Sequence, residues 1–138
     1  MGIGMKWTIS HIPENNIVHI ETSGTMTADP LNQMVKEVIE AGKLHNARLY
    51  LVDHRNVHVK MSFIETVERP YELDRLHFPR NSRIAQVIPE THIELFRFLE
   101  TVMLNRGYHI RVFKDIGLAQ EWLTGRPPTV RVVAPSPR

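Results

Sequence analysis

Hydrophobic and polar positions alternate in "KWTISHI" and "IVHIETSG". The intervening "PENN" carries Pro and Asn residues that favour a turn, so the chain opens on an antiparallel hairpin. The period then changes. In "MTADPLNQMVKEVIEAGKL" the apolar residues Leu31, Met34, Val35, Val38 and Ile39 recur at helical spacing, with Thr27 as N-cap, Asp29 in the first turn and Gly42 at or near the end. "RLYLV" is apolar without alternation, the mark of a strand covered on both faces. "SFIE" at 62–65 is a capping box that predicts a helix start, and Pro70 stops or kinks that helix. "YELDRLHFPRNS" is then a short helix or an irregular connection closed by Pro79. "RIAQVI" is a further strand. "PETHIELFRFLETVMLNRG" is a helix with Ile93, Phe96, Leu99, Val102 and Met103 on one face and Gly107 beyond its last turn. "YHIRVF" alternates regularly and belongs near a sheet edge, "DIGLAQEWLTG" is a final short helix from Asp115 to Gly125, and the proline-bounded tail adds an extended segment at "TVRVV".

The predicted order, β β α β α β α β α, is that of an α/β fold with a mixed, mostly parallel sheet, an N-terminal β-hairpin and about four helices. Residues 1–126 form one domain and 127–138 a C-terminal tail on this reading. Ligands in such sheets meet the chain beyond the carboxyl ends of the strands, so "DHRNVHVKMS", expected to be a loop after the central strand, is the first place to look for function.

Composition narrows the field. A chain of 138 residues with 42% apolar and 23% charged residues has the balance of a self-supporting globular domain. The absence of cysteine excludes disulfides, thiolate metal sites and cysteine catalysis, and makes the cytoplasm the default location. No apolar run approaches the ~20 residues needed to span a bilayer, and Gly2 lacks the Ser or Thr at position 6 that N-myristoylation wants, since Lys6 stands there. With a net charge of +2 and no cluster of basic residues, nucleic acid is not an expected partner.

Three chemistries compete for the 53–62 segment. Asp53, His54 and His58 offer a carboxylate and two imidazoles to a metal, but the adjacent Arg55 repels a cation and a loop gives the spacing no meaning. Ser62 with a histidine and Asp53 has the residue types of a hydrolase, without a G-x-S-x-G elbow and with Ser62 already serving as a cap. The plainer reading leaves Asp53 accepting backbone hydrogen bonds at a strand end and the other histidines (His19, His45, His92 and His109) as surface or satisfied edge residues. Trp122 and Phe96 read as packing residues. No metal and no cofactor is expected.

The hairpin, "GTMTADPL" leading into a helix, "LYLVDHRNV", "RIAQVI" and "IRVFKDIGLAQEWL" together resemble the SpoIIAA-like proteins, relatives of the STAS domains of anti-sigma factor antagonists, over Trp7 to Leu123. The resemblance implies a β-α superhelical domain with a mixed sheet and helices mostly on one side. It matches Asp53 to the acid that ends the central strand and Ser62 to the serine that a partner kinase phosphorylates. Met61, Phe63 and Ile64 depart from the Asp-Ser-Ser-Gly element expected there. A phosphate at that N-cap would still meet free amides, with Lys60 nearby. A SpoIIAA-like branch is also similar in fold to lipid-binding CRAL-TRIO domains, which implies an apolar pocket lined by Phe63, Val67, Tyr71, Leu73, Leu76 and Phe78.

The sequence therefore predicts a non-enzymatic interaction domain that presents Asp53, His54, Arg55, Asn56, His58, Lys60 and Ser62 to a protein partner. The alternative is a carrier of a small apolar ligand or lipid with 63–78 as its lid, and an enzyme using Asp53, His54 and His58 ranks behind both. A filled core would favour the protein partner, and an internal apolar cavity on the order of a few hundred Å³ the ligand. The exposed edge at "YHIRVF" is open to pairing in a homodimer.

Overall fold

A computed structural model describes residues 4–126. The tail at 127–138, with its expected extended segment, and Gly2 lie outside the described residues. Strands β1 (Lys6–Ile12) and β2 (Ile17–Met26) form the antiparallel hairpin, closed by a turn in which Asn16 takes φ 53°. Helix α1 (Ala28–His45) buries Leu31, Met34, Val35, Val38 and Ile39, the five positions its period marked. Thr27 is its N-cap without a side-chain bond, and the helix runs past Gly42 to a left-handed cap at Asn46.

Gly42 is required for a different reason. A Cβ there would lie 2.1 Å from the Oη of buried Tyr50, so the helix approaches the sheet as closely as it does only because position 42 has no side chain.

Strand β3 (Leu49–Val59) carries the largest departure from expectation. The segment from Asp53 to Val59 is not a loop but the second half of this strand, parallel to β2 along its whole length. Glu21 lies opposite Asp53 and Ser23 opposite Asn56, so His54 and Arg55 together face Thr22 across a bulge. The extra residue reverses the parity of the strand. Before it Tyr50 and Val52 point to the main core; after it Val57 and Val59 do. An alternation read without the bulge breaks at "DHRN", which is why those residues resembled a loop.

Two short helices, α2 (Phe63–Val67) and α3 (Arg69–Arg75), follow; the break falls at Glu68, and Pro70, expected to stop or kink the first helix, lies in the first turn of the second, which is the short helix expected at "YELDRLHFPRNS" begun earlier at Arg69. Strand β4 (Arg83–Val87) leads through a 3-10 turn at Glu90–His92 into α4 (Ile93–Asn105). Strand β5 (His109–Phe113) and α5 (Ile116–Thr124) complete the order, with α5 capped by Asp115, which accepts from the Leu118 amide at 2.9 Å, and by Gly125.

The sheet order is β1-β2-β3-β4-β5, parallel from β2 onward, which puts β5 on an edge as its alternation required. One face carries the larger core, built with residues of α1, α3 and α4. The other carries a smaller core in which Ile116, Ala119 and Leu123 of α5 pack on Ile17, Leu51, Ala85 and Val87.

Candidate functional site

The bulge distributes the 53–62 residues rather than gathering them. Asp53 is buried on the α5 side of the sheet, where Arg55 donates from Nε to Oδ1 at 2.9 Å and from Nη2 to Oδ2 at 2.7 Å. Burial raises the Asp53 pKa, and the hydrogen bonds and charge of Arg55 more than reverse it, so the carboxylate titrates below its ordinary range. This acid is a paired structural anion, not the end of a strand.

His54 points to the opposite face and is buried beside Phe96, with ring centroids 5.6 Å apart. Its surroundings define its protonation. The Thr22 hydroxyl lies 3.1 Å from the Asp53 carbonyl oxygen and 2.7 Å from His54 Nδ1. A hydroxyl has one proton: given to the carbonyl it leaves the ring's proton on Nδ1, and given to Nδ1 it leaves the ring's proton on Nε2. Burial pushes the pKa down to about 4, with Asp53 opposing the shift, so the ring is neutral near pH 7.

The remaining residues separate further. His58 is exposed, its ring 5.3 Å from that of His92, whose Nε2 accepts from the Val59 amide at 3.2 Å. Burial and then the His58 charge lower the His92 pKa. Arg55, Asn56 and Lys60 are exposed. The Ser62 hydroxyl accepts from the Glu65 amide at 3.0 Å while the Ser62 amide donates to Glu65 Oε1 at 2.9 Å, so the capping box forms as its sequence requires. Asp53, His54 and His58 therefore do not converge, and among the described residues no group of three or more His, Asp or Glu is placed to hold a metal ion. The expectation that all seven residues meet solvent as one recognition loop is corrected: Asp53 and His54 are interior residues of a strand.

One concavity, open and about 720 Å³ in volume, lies over the hairpin beside Asn56; a smaller apolar one lies between the sheet and helices α1, α3 and α4. The latter is a cavity of about 100 Å³. Met26, Met34, Met61 and Met103, four of the six methionines, contribute to its wall, together with Val52, Leu99 and Ile110. Of the pocket residues expected from sequence, Leu73 and Phe78 line it, whereas Phe63 and Tyr71 are exposed. Met61 and Thr66 bring the α2 region onto the cavity, and the outer side of α2 shows solvent Phe63 and Ile64, each 67% exposed. Phe63 stacks on Phe98 of α4 at 4.7 Å.

Five side chains with polar groups reach the cavity wall: Tyr50, whose hydroxyl donates to the Ala47 carbonyl at 3.4 Å, and His54, Thr66, Arg69 and Gln86. Thr66 donates to the Ser62 carbonyl at 2.9 Å. Arg69 is buried, its pKa lowered to about 10 by that burial, and it donates to Asn32 Oδ1 at 2.7 Å; Asn32 in turn donates to Glu72. Gln86 Oε1 is buried and meets no hydrogen-bond donor among the described residues. Gln86 escaped the sequence reading because it sits in a stretch that otherwise reads as plain strand; the one available signal was a polar residue at a core-facing parity. His54 was named from sequence, but as part of an exposed recognition loop and not of a buried wall.

His19 is a second correction. It is buried rather than at the surface, and its Nε2 has no partner among the described residues. It lies on the α5 face with Asp53 and Glu21, and burial lowers its pKa.

Comparison with known proteins is consistent with this architecture. A crystal structure of an uncharacterized protein from Shewanella loihica PV-4, described as having a SpoIIAA-like fold, superimposes with a TM-score of 0.58 at 14% identity, covering 89% of this chain and 95% of that one. At that identity the likeness shows the fold. No curated protein matches the chain. The family model described as SpoIIAA-like matches residues 17–124, from the second strand of the hairpin to the last residue of the final helix, and the chain belongs to the SpoIIAA-like family.

Proposed function

We propose that this domain is a non-enzymatic binding module that takes a small apolar molecule into the cavity between its sheet and helices α1, α3 and α4. The observation that carries the reading is the cavity itself: about 100 Å³ with a wall of apolar side chains, smaller than the few hundred Å³ expected from sequence and so sized for a small guest and not for a lipid. Native interiors pack to crystal-like density and leave few voids larger than a water, and an engineered apolar cavity of ~150 Å³ takes up benzene. Methionine side chains adapt to an incoming shape at little cost, which suits a wall built from four of them. The dispersal of Asp53, His54, His58 and Ser62 supports a module without catalysis.

Benzene tests it. Protein carrying ¹³C-methyl methionine should show shifts at Met26, Met34, Met61 and Met103 on titration, with Met5 unmoved, and its thermal midpoint should rise. Unmoved resonances at all four cavity methionines would refute the reading.

A second reading rests on a separate observation, the exposure of Phe63 and Ile64 on α2. Large apolar side chains left side by side in solvent favour a protein partner. Exposed Arg55, Asn56, His58, Lys60 and Ser62 precede that helix and belong to the same proposed surface. Capture of a copurifying protein that Phe63→Ser and Ile64→Ser together abolish would support it.

A further inference from the structure

We infer that the cavity selects a hydroxyl-bearing apolar molecule, a small alcohol or phenol, whose oxygen is held between His54 and Gln86. The inference rests on the cavity being a ligand site and goes on to name the chemistry of the ligand.

The two side chains share one face of the sheet. Val52 is paired with Gln86 across the β3–β4 ladder, and His54 lies two residues further along β3, so its side chain emerges on the same side, diagonal to Gln86. Both reach the cavity wall. Every other polar group on that wall has a protein partner: the Tyr50 hydroxyl bonds the Ala47 carbonyl, Thr66 bonds the Ser62 carbonyl, and the Arg69 guanidinium bonds Asn32. Gln86 differs. Its Oε1 is buried without a donor among the described residues, and an amide oxygen buried unpaired forfeits the hydrogen bonds it makes in water. A filled apolar core would carry a leucine at this place.

His54 supplies the complementary group. Thr22 occupies its Nδ1 at 2.7 Å, and with the Thr22 proton on Nδ1 the neutral ring carries its own proton on Nε2. The low pKa of the buried ring keeps it neutral near pH 7. A guest must therefore bring a proton for Gln86 Oε1 and, at the same atom, a lone pair for His54 Nε2–H. Hydroxyl is the smallest group that donates and accepts at one atom. An ether lacks the proton, and a carboxylate places a second negative oxygen against a lone pair. Size sets the remainder of the guest: about 100 Å³ is below the ~150 Å³ that takes up benzene, so the body is at most of benzene size and enters as the methionine side chains of the wall adjust.

Phenol, fluorobenzene, benzene and benzoate, titrated into the intact chain and followed by the cavity methionine methyls, test the inference. Phenol should bind at least tenfold tighter than benzene and fluorobenzene, which match its shape without its proton. Gln86→Leu and His54→Phe should each reduce that preference at least threefold while leaving the benzene affinity within twofold. His54→Phe keeps a ring beside Phe96, and Gln86→Leu is close in volume, so at least one variant is expected to retain the native amide spectrum. Equal affinity for phenol and benzene in the wild type would overturn the hydroxyl inference and leave the apolar site standing. Benzoate binding tighter than phenol would overturn it in favour of an anion read by Arg69. Failure of all four compounds to bind would remove the ligand site itself. A phenol preference that survives both substitutions would show that other groups provide it, and would overturn the assignment to His54 and Gln86.

Discussion

At the scale of single residues, His54 makes stability depend on pH in a direction its burial fixes. The unfolded chain protonates this ring near 6.5 and the folded chain only near 4, so the unfolded state binds the extra proton between those values. Its contribution is complete above pH 6.5 and falls as pH drops toward 4, by roughly 3 kcal/mol in all. His19 and His92 are shifted the same way and steepen the fall, whereas Asp53 titrates below this range. Denaturant unfolding from pH 7 to pH 4 should show the decline, with a shallower slope in His54→Phe. Gly42 offers a sharper steric test. Alanine there gains at most ~1 kcal/mol of helix propensity but meets Tyr50 Oη at 2.1 Å, and overpacking of a buried site costs about 1 to 3 kcal/mol. Gly42→Ala should therefore destabilise, and adding Tyr50→Phe, which removes the clashing oxygen, should recover part of the loss. Additive effects of the two changes would show that the contact is not responsible.

Among elements, α2 is the most weakly held. It has five residues and buries only Thr66, and a helix so short owes its existence to its cap and its neighbours. Ser62→Ala removes one half of the capping box and should cost about 1 kcal/mol, expressed as faster amide exchange over 63–67 with little change in the sheet. That cap was legible in "SFIE", as the buried stripe of α1 was legible in its 3.6-residue period and the caps of α5 in Asp115 and Gly125. Local chemistry decides such features, and it is written in neighbouring residues. The bulge at His54 and Arg55 was not legible, because it exists only in the pairing of β3 with β2, a relation between residues some thirty positions apart. The same holds for the cavity wall. Leu73 and Phe78 were named from their own segment, while His54, Gln86 and the methionines arrive from β2, β3, β4, α1 and α4 and meet only in the folded chain.

For the molecule as a whole, the cavity is a reserve of stability left unused. Val52→Ile adds one methyl group at the wall while keeping a β-branched residue in the strand, and should stabilise the fold by about 0.8 kcal/mol where the space receives it. The same substitution should weaken benzene uptake, so stability and affinity move in opposite directions. Matched unfolding curves and methionine titrations check this; a variant that is both more stable and a tighter binder would contradict the placement of the guest. On the other face, among the described residues, α5 alone covers β3, β4 and β5, and Lys6, Thr8, Ser10 and Glu21 of the hairpin are exposed.

The two cores touch opposite sides of one hydrogen-bonded wall, and that wall insulates them. Trimming Leu51 or Ala119 beneath α5 subtracts from the folding equilibrium without reshaping the chamber behind it. On the proposed function, the chain thus has a side on which change can accumulate while recognition is preserved, and a side on which a single methyl group alters what is recognised.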